Sequence, residues 1–357
     1  MAFLFVTQFR SIGPKVHIMA LIQNRYRIDY RAEIVRPLMA AIRRGESVCL
    51  VGLAGVGKSN LVSFLEEPEV TKHYLPDLSD RTHIVWVSCR SADQPKEEIF
   101  EALLTRVWLV ARRQGYDLAD IAPAGTAKYR MLQNVLGEFC GAHGQRLVFV
   151  LDEFEGLIQQ QPEDFFDDLR ALRDDHRPSG QLTFVTITHR MPQVVPGRTI
   201  FGQTKFFALL RDHIYPIPPY RFADADEMLN VLLQKTEGLE IVPEDRQRLI
   251  AVSGGHSGLL RDVFSVVTPN FGMSIPKLLR LGSSSERVRE MCNQIWTHLH
   301  RDERQALRSL ARNQAISPET TGFLQRRGLL RDGASPTFFS PLFGEYVSSI
   351  QSKPVPS

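Results

Sequence analysis

The 357-residue chain is poor in cysteine: only Cys49, Cys89, Cys140 and Cys292 occur, far apart. There is no CxxC pair and no Cys/His ligand spacing. That excludes a disulfide framework and a zinc motif, and points to a reducing, cytoplasmic compartment. Long apolar runs are missing as well. The longest early one, Ala2 to Val6, falls far short of the roughly 20 residues a spanning helix needs and lacks a signal-peptide cleavage site, so no membrane partner is expected. No repeat of fixed period and no low-complexity block is present. Neither sign of charge dominates: 43 Lys and Arg against 40 Asp and Glu leave +3. This excludes a polybasic nucleic-acid tail, though not a local basic face. With 43% hydrophobic and 23% charged residues the composition is globular, and global disorder is excluded. At about 150 residues per domain, two or three domains are expected. Met19 offers a second start, and residues 1–25 read as an N-terminal extension.

What is present is alternation. Short runs rich in Val, Ile and aromatics, at 47–52, 83–88, 146–153, 182–189 and 213–217, read as strands buried on both faces. Helical patterns near 32–44, 58–67, 95–114, 128–142 and 163–176 separate them. This predicts an α/β unit with a parallel sheet. After residue 220 the strands stop. Asp224 and Glu227 suggest a capping box for a helix over 224–236, and further helices are expected near 243–253, 257–268 and 275–281. The polar stretch 282–286 is a candidate boundary. Beyond it, helices near 286–299, 302–313 and 317–327 precede a stretch read as a two-stranded wing and a last helix, the pattern of a winged helix. Residues 351–357 read as a tail.

Gly52-Leu53-Ala54-Gly55-Val56-Gly57-Lys58-Ser59 fits the pattern GxxxxGK[ST] in full. Glycines let such a loop curl so that backbone N–H groups face phosphate oxygens, and the helix opening at its end favours anions. Lys58 is suited to the β- and γ-phosphates. The Ser59 hydroxyl suits Mg²⁺, a hard ion that prefers oxygen. A tight turn needing glycine only for steric reasons leaves Lys58 and Ser59 unexplained.

Asp152 and Glu153 directly follow an apolar run. A nucleotide-bound Mg²⁺ gives Asp152 a task, and Glu153 is placed to polarise an attacking water. The bland reading, acids at a helix N-terminus, applies more to Glu155, Glu163 and Asp164. The run 182–189 exits at Thr188-His189-Arg190, any of which could meet the γ-phosphate or simply face solvent. Arg211 precedes the last run, either solvated or projecting into a neighbouring subunit. Gly254-Gly255 precedes a helix carrying Arg261, which a lid would bring to the phosphates; the glycines alone are also consistent with a plain helix break. His256 reads as a cap or surface residue.

These motifs in this order resemble the AAA+ superclass of P-loop ATPases, nearest to its STAND and origin-initiator branches. The resemblance covers about 26–350 and implies a P-loop core with a five-stranded parallel sheet (26–220), a helical lid (221–282) and a winged-helix domain (283–350). By it, Ile28, Tyr30 and Arg31 line the base site, and Asn60 joins Gly52, Ala54, Gly55, Val56, Gly57, Lys58 and Ser59 in holding the nucleotide. Thr188 and Arg190 become sensors at the strand end, Arg261 a lid sensor and Arg211 the finger candidate. His256-Ser257 depart from the GxP lid motif of STAND proteins. The implied function is an oligomeric switch that binds ATP or ADP with Mg²⁺, hydrolyses ATP and acts on a protein client. The alternative engages DNA through the winged helix, with Arg301, Arg304, Arg308, Arg312, Arg326, Arg327 and Arg331 as the basic set. A third option is a scaffold that binds nucleotide without turnover.

Overall fold

The computed structural model describes residues 26–90, 94–118, 121, 126–175, 180–195, 204–236, 240–268, 272–333 and 335–350. The expected extension (1–25) and tail (351–357) lie outside them. The helix α1 (Ala32–Arg44) leads into β1 (Val48–Gly52), followed by α2 (Lys58–Leu65), α3 (Pro68–Tyr74), β2 (Thr82–Ser88), α4 (Lys96–Arg113) and α5 (Lys128–Leu136). Then come β3 (Arg146–Asp152), α6 (Glu155–Gln160), α7 (Glu163–Asp175), β4 (Leu182–Thr188), α8 (Lys205–Ala208) and β5 (Ile214–Ile217). The strands form one parallel sheet in the order β2-β3-β4-β1-β5. The chain thus leaves β1 for the far edge and works back. A crevice opens where β1 lies between β4 and β5, at the carboxyl ends of the strands, where open α/β sheets take ligands.

Alternate residues face opposite ways in a strand, and both faces here are covered. Val48 and Leu50 pack with Val148, Val150, Val185 and Ile187 under α1 and α2. Cys49 and Val51 face the other way, joining Phe149, Leu151 and Phe184 under α4, α5 and α7.

Four helices follow: α9 (Phe222–Gln234), α10 (Pro243–Ser253), α11 (Ser257–Val267) and α12 (Ile275–Ser284). The expected capping box at Asp224 does not form. The helix starts two residues earlier, with Arg221 at the cap position, and Asp224 is buried instead, its carboxylate 3.4 Å from the Arg31 backbone N–H. The expected break at 282–286 is also narrower. Helix α12 runs to Ser284 because Gly282 lets it close on Leu342, which a Cβ there would meet at 2.9 Å.

The last helices are α13 (Glu286–Thr297), α14 (Arg301–Ala311), α15 (Pro318–Arg326) and α16 (Pro341–Ile350). Ser317 caps α15 through its side chain, and a left-handed Gly328 (φ 73°) follows that helix. Where a two-stranded wing was expected there is one antiparallel bridge pair, Leu330 with Phe338. Leu329, Leu330, Phe339 and Phe343 are buried here. Two backbone hydrogen bonds flank the bridge, Arg331 N–H to Thr337 O (2.9 Å) and Phe339 N–H to Leu329 O (3.1 Å), so a short antiparallel pairing and the buried side chains together fix the segment. These helices share one apolar cluster with α9 to α12 and with the α1 face of the sheet.

Candidate functional site

The turn from β1 into α2 curls because Gly55 and Gly57 take left-handed φ values of 71° and 95°. Neither tolerates a side chain. A Cβ on Gly57 would lie 2.6 Å from the Tyr220 hydroxyl, and one on Gly55 would lie 2.6 Å from Met291 Sδ. The loop is also gripped from outside. The α11 N-terminus places His256 Nε2 2.8 Å from the Ala54 carbonyl, and both Ser257 Oγ (2.7 Å) and the Gly258 N–H (2.9 Å) donate to Gly55 O. Arg31 Nη2 donates to Val56 O at 2.7 Å. Three successive carbonyls are thus occupied and cannot turn toward an anion.

His256 is fully buried, and burial pushes its pKa down to about 3. The neutral ring donates from Nε2 and accepts the Leu259 N–H at Nδ1. It is a cap, but not a surface residue.

Lys58 Nζ rests on the carbonyls of Gly52 (3.2 Å) and Leu53 (3.0 Å). Burial lowers it to about 8, with Glu155 and Asp152 opposing. Burial raises the Asp152 carboxyl, and the Lys58 charge works against that. Lys58, Ser59, Asn60, Asp152, Glu153, His189 and Arg261 line one cavity of about 230 Å³. Asn60, Met228 and Arg261 also border a second cavity of about 150 Å³, walled by Tyr26, Tyr30, Tyr220 and Asp224. A larger groove, about 900 Å³, lies between Met191 and helices α14 and α15. It presents Asp302, Glu303 and Glu319 against Arg326 alone, a charge balance that repels a triphosphate.

Glu153 is left-handed at φ 59°, a strained setting for a residue with a Cβ. Its carboxylate is held by both Arg90 Nε and Nη2 at 3.0 Å. That hydrogen bonding keeps it below the usual glutamate range. Glu155, read at first as a helix-start acid, is half-buried, its Oε1 lying 3.0 Å from His189 Nδ1 and accepting the His189 backbone N–H. Burial alone would raise this carboxyl, but the His189 contacts outweigh it and hold it low.

The strand exit departs from expectation. Thr188 is buried and spends its hydroxyl on Arg190 O at 2.7 Å. Arg190 turns to the end of α13, donating to His298 O (2.8 Å) and Thr297 O (2.6 Å). A helix C-terminus offers unpaired carbonyls and negative potential, which attract a guanidinium more than an empty cavity does. The residue that reaches the cavity is His189. Ile28 is 40% exposed and outside both cavities, and Arg31 sits behind Tyr220, its guanidinium 4.3 Å from that ring. Tyr26 and Tyr220 take those wall positions beside Tyr30. Arg211 is exposed in the turn before β5, away from both cavities. His189 was one of the three residues named at this strand exit; Arg90 was not, and could have been found by one rule: polar residues at the carboxyl end of every strand share a rim.

Ser59 and Asp152 bring a hydroxyl and a carboxylate to one cavity, hard oxygen donors of the kind Mg²⁺ takes. Among the described residues no group of three His, Cys, Asp or Glu could hold a metal.

The parallel sheet, the glycine loop opening a helix and the acidic strand end are those of a P-loop core of the AAA+ type. The family described as AAA domain matches residues 42–191, so this segment is an AAA-type P-loop ATPase domain. Two solved structures share the fold. The Walker-type ATPase PABY2304 of Pyrococcus abyssi superposes with a TM-score of 0.55 at 13% identity, over 89% of this chain and 95% of that one. The Aeropyrum pernix ORC2 protein in its ADP form gives 0.50 at 14% identity, over 92% and 86%. No curated protein matches the chain.

Proposed function

We propose that the protein is a cytoplasmic, ATP-hydrolysing switch that works as an oligomer and acts on a protein client. The observation that carries the reading is the shared cavity: Lys58, Ser59, Asp152, Glu153 and the lid residue Arg261 line one space. Catalysis of phosphoryl transfer to water is mostly positioning and charge stabilisation. Loop amides and Lys58 hold the β- and γ-phosphates, and the purine takes the second cavity, beside the hydrogen-bonded pair Tyr30 and Tyr220. Ser59 and Asp152 would hold Mg²⁺, which supplies neutralising charge. Glu153, once released by Arg90, takes a proton from the attacking water. The α11 N-terminus and Arg261 register the phosphates, so ATP and ADP favour different lid placements; only such differential contact shifts an equilibrium. In an assembly, Arg211 is the group available to a neighbour's site.

Phosphate release is the test. Glu153→Gln is expected to slow it about 10²–10³-fold while ADP affinity stays within a few-fold. An equal rate in wild type and variant removes Glu153 from the mechanism. No turnover by wild type leaves only a nucleotide-binding scaffold.

DNA engagement by the C-terminal helices is less well supported. Of its seven arginines, Arg327 is buried against Glu303, Arg331 bonds the carbonyls of Ala251 and Phe339, and Arg308 lies over Trp296. Arg301, Arg312 and Arg326 remain exposed and Arg304 half-buried, and a steeply salt-dependent DNA affinity would restore this reading.

A further inference from the structure

The second cavity, about 150 Å³, is walled mainly by rings and apolar side chains, and much of its polarity is already committed. The hydroxyls of Tyr30 and Tyr220 lie 2.8 Å apart, and Asn60 Nδ2 donates to Tyr220 OH at 3.0 Å. Arg261 also lines the phosphate cavity. What remains toward the base end is Asp224 and Glu227, three residues apart on α9, and Lys235 at that helix's end. Lys235 is exposed and Glu227 half-buried, so water can serve both.

Asp224 differs. It is only 6% exposed. Its Oδ1 lies 3.4 Å from the Arg31 backbone N–H, long for a hydrogen bond, and among the described residues its other oxygen has no hydrogen-bond partner. Burial raises this carboxyl, and the Arg31 N–H opposes that. A buried carboxylate short of donors is costly. A ligand N–H that reached it would remove part of the cost.

We propose that Asp224 determines the base specificity of this cavity, its unpartnered oxygen accepting the exocyclic N6–H of an adenine nucleotide. The assignment rests on the nucleotide-binding reading above and sharpens it. An ionised carboxylate only accepts. Adenine carries a donor amine at C6, whereas guanine and hypoxanthine carry an acceptor oxygen there, which a carboxylate repels. Guanine has a second way to meet a carboxylate, through N1–H and N2–H together. That grip needs both oxygens, and Oδ1 here already faces the Arg31 N–H. A buried acceptor with one free oxygen therefore suits a single amine. Such a site rejects an analogue that lacks the amine, because the acceptor is then left unpaired.

The test is calorimetric titration of the full chain with three diphosphates that differ only at C6 of the purine: ADP, inosine diphosphate and purine riboside diphosphate, which bears hydrogen there. Wild type is expected to bind ADP about 10–10²-fold more tightly than purine riboside diphosphate, and inosine diphosphate no more tightly than the latter. Asp224→Ala is expected to remove that preference, weakening ADP by the same factor while purine riboside diphosphate, which has no amine to miss the carboxylate, stays within about threefold. Asp224→Asn keeps an acceptor and adds a donor, so it is expected to retain part of the ADP preference and to gain affinity for inosine diphosphate. Wild type that binds ADP and purine riboside diphosphate alike overturns the assignment and leaves the nucleotide-binding reading standing, and this comparison needs no variant to fold. Equal weakening of both ligands in Asp224→Ala also overturns it, showing a structural role only. If folded wild type takes up none of the three, the nucleotide-binding reading falls and this assignment with it.

Discussion

The two faces of the sheet differ in what they hold. One is sealed: Phe149, Phe154, Phe165, Phe166, Phe184, Phe206 and Phe207 form a nest of buried rings under α4, α5 and α7. The other is continuous with every helix after β5. Its apolar cluster runs from Val48 and Leu50 through Leu249 and Leu259 to Trp296 and Phe343. Polar joints cross the same side: His256 to the phosphate loop, Arg190 to α13, and the buried Arg327–Glu303 pair to His189 O. One face is built to stay still. The other ties the ligand cavity to the C-terminal helices through bonds that can be exchanged.

The contrast can be broken in order of effect. The largest concerns pH. Folded His256 sits at about 3, against an ordinary value of 6.5. Between those values the unfolded chain binds a proton that the folded ring refuses. The stability associated with this neutral histidine is therefore complete above about pH 6.5 and lost as pH falls toward 3. The loss is about 1.4 kcal/mol per pH unit, roughly 4–5 kcal/mol over the window. Urea unfolding across that range should show the slope in wild type and about one proton less in His256→Asn. Next, Phe166→Ala should cost about 3–5 kcal/mol by the same measurement and leave ADP affinity unchanged. A large affinity loss would mean that the sealed face also shapes the site. Smaller still, Arg190→Ala should cost about 1–2 kcal/mol, seen as faster hydrogen exchange at the end of α13 with ADP affinity intact. Unchanged exchange there would show that this joint does not hold the C-terminal helices.

The sealed face and the loop were the legible parts of the sequence. Runs such as "VCLVG" and "LVFVLD" leave little choice but buried strands, and GxxxxGK[ST] is a local pattern whose backbone follows from its glycines. The strand exit was not legible to the same degree. Thr188, His189 and Arg190 are neighbours, yet one faces inward, one faces the cavity and one is drawn to a helix end about 107 residues away in sequence. Their fates are decided by partners that no local pattern names. The same holds for Glu155, which looks like any acid at a helix start until His189 is beside it. Arg31 shows the limit from the other side: the segment was read as a base-site lining, but a buried guanidinium found a carbonyl and an aromatic ring instead. The wing is shorter than the sequence suggests: its pairing is limited to two backbone hydrogen bonds about Leu330 and Phe338, with buried Leu329, Leu330 and Phe339 holding it in place.

The most direct measurement is calorimetric titration of wild type and Lys58→Ala with ATP and with ADP in the presence of Mg²⁺. Wild type should take up one nucleotide per chain, and the variant, with no ammonium group facing the phosphates, should bind at least about 10²-fold more weakly. Folded wild-type protein that takes up neither nucleotide, or a variant that binds as tightly as wild type, would contradict the account.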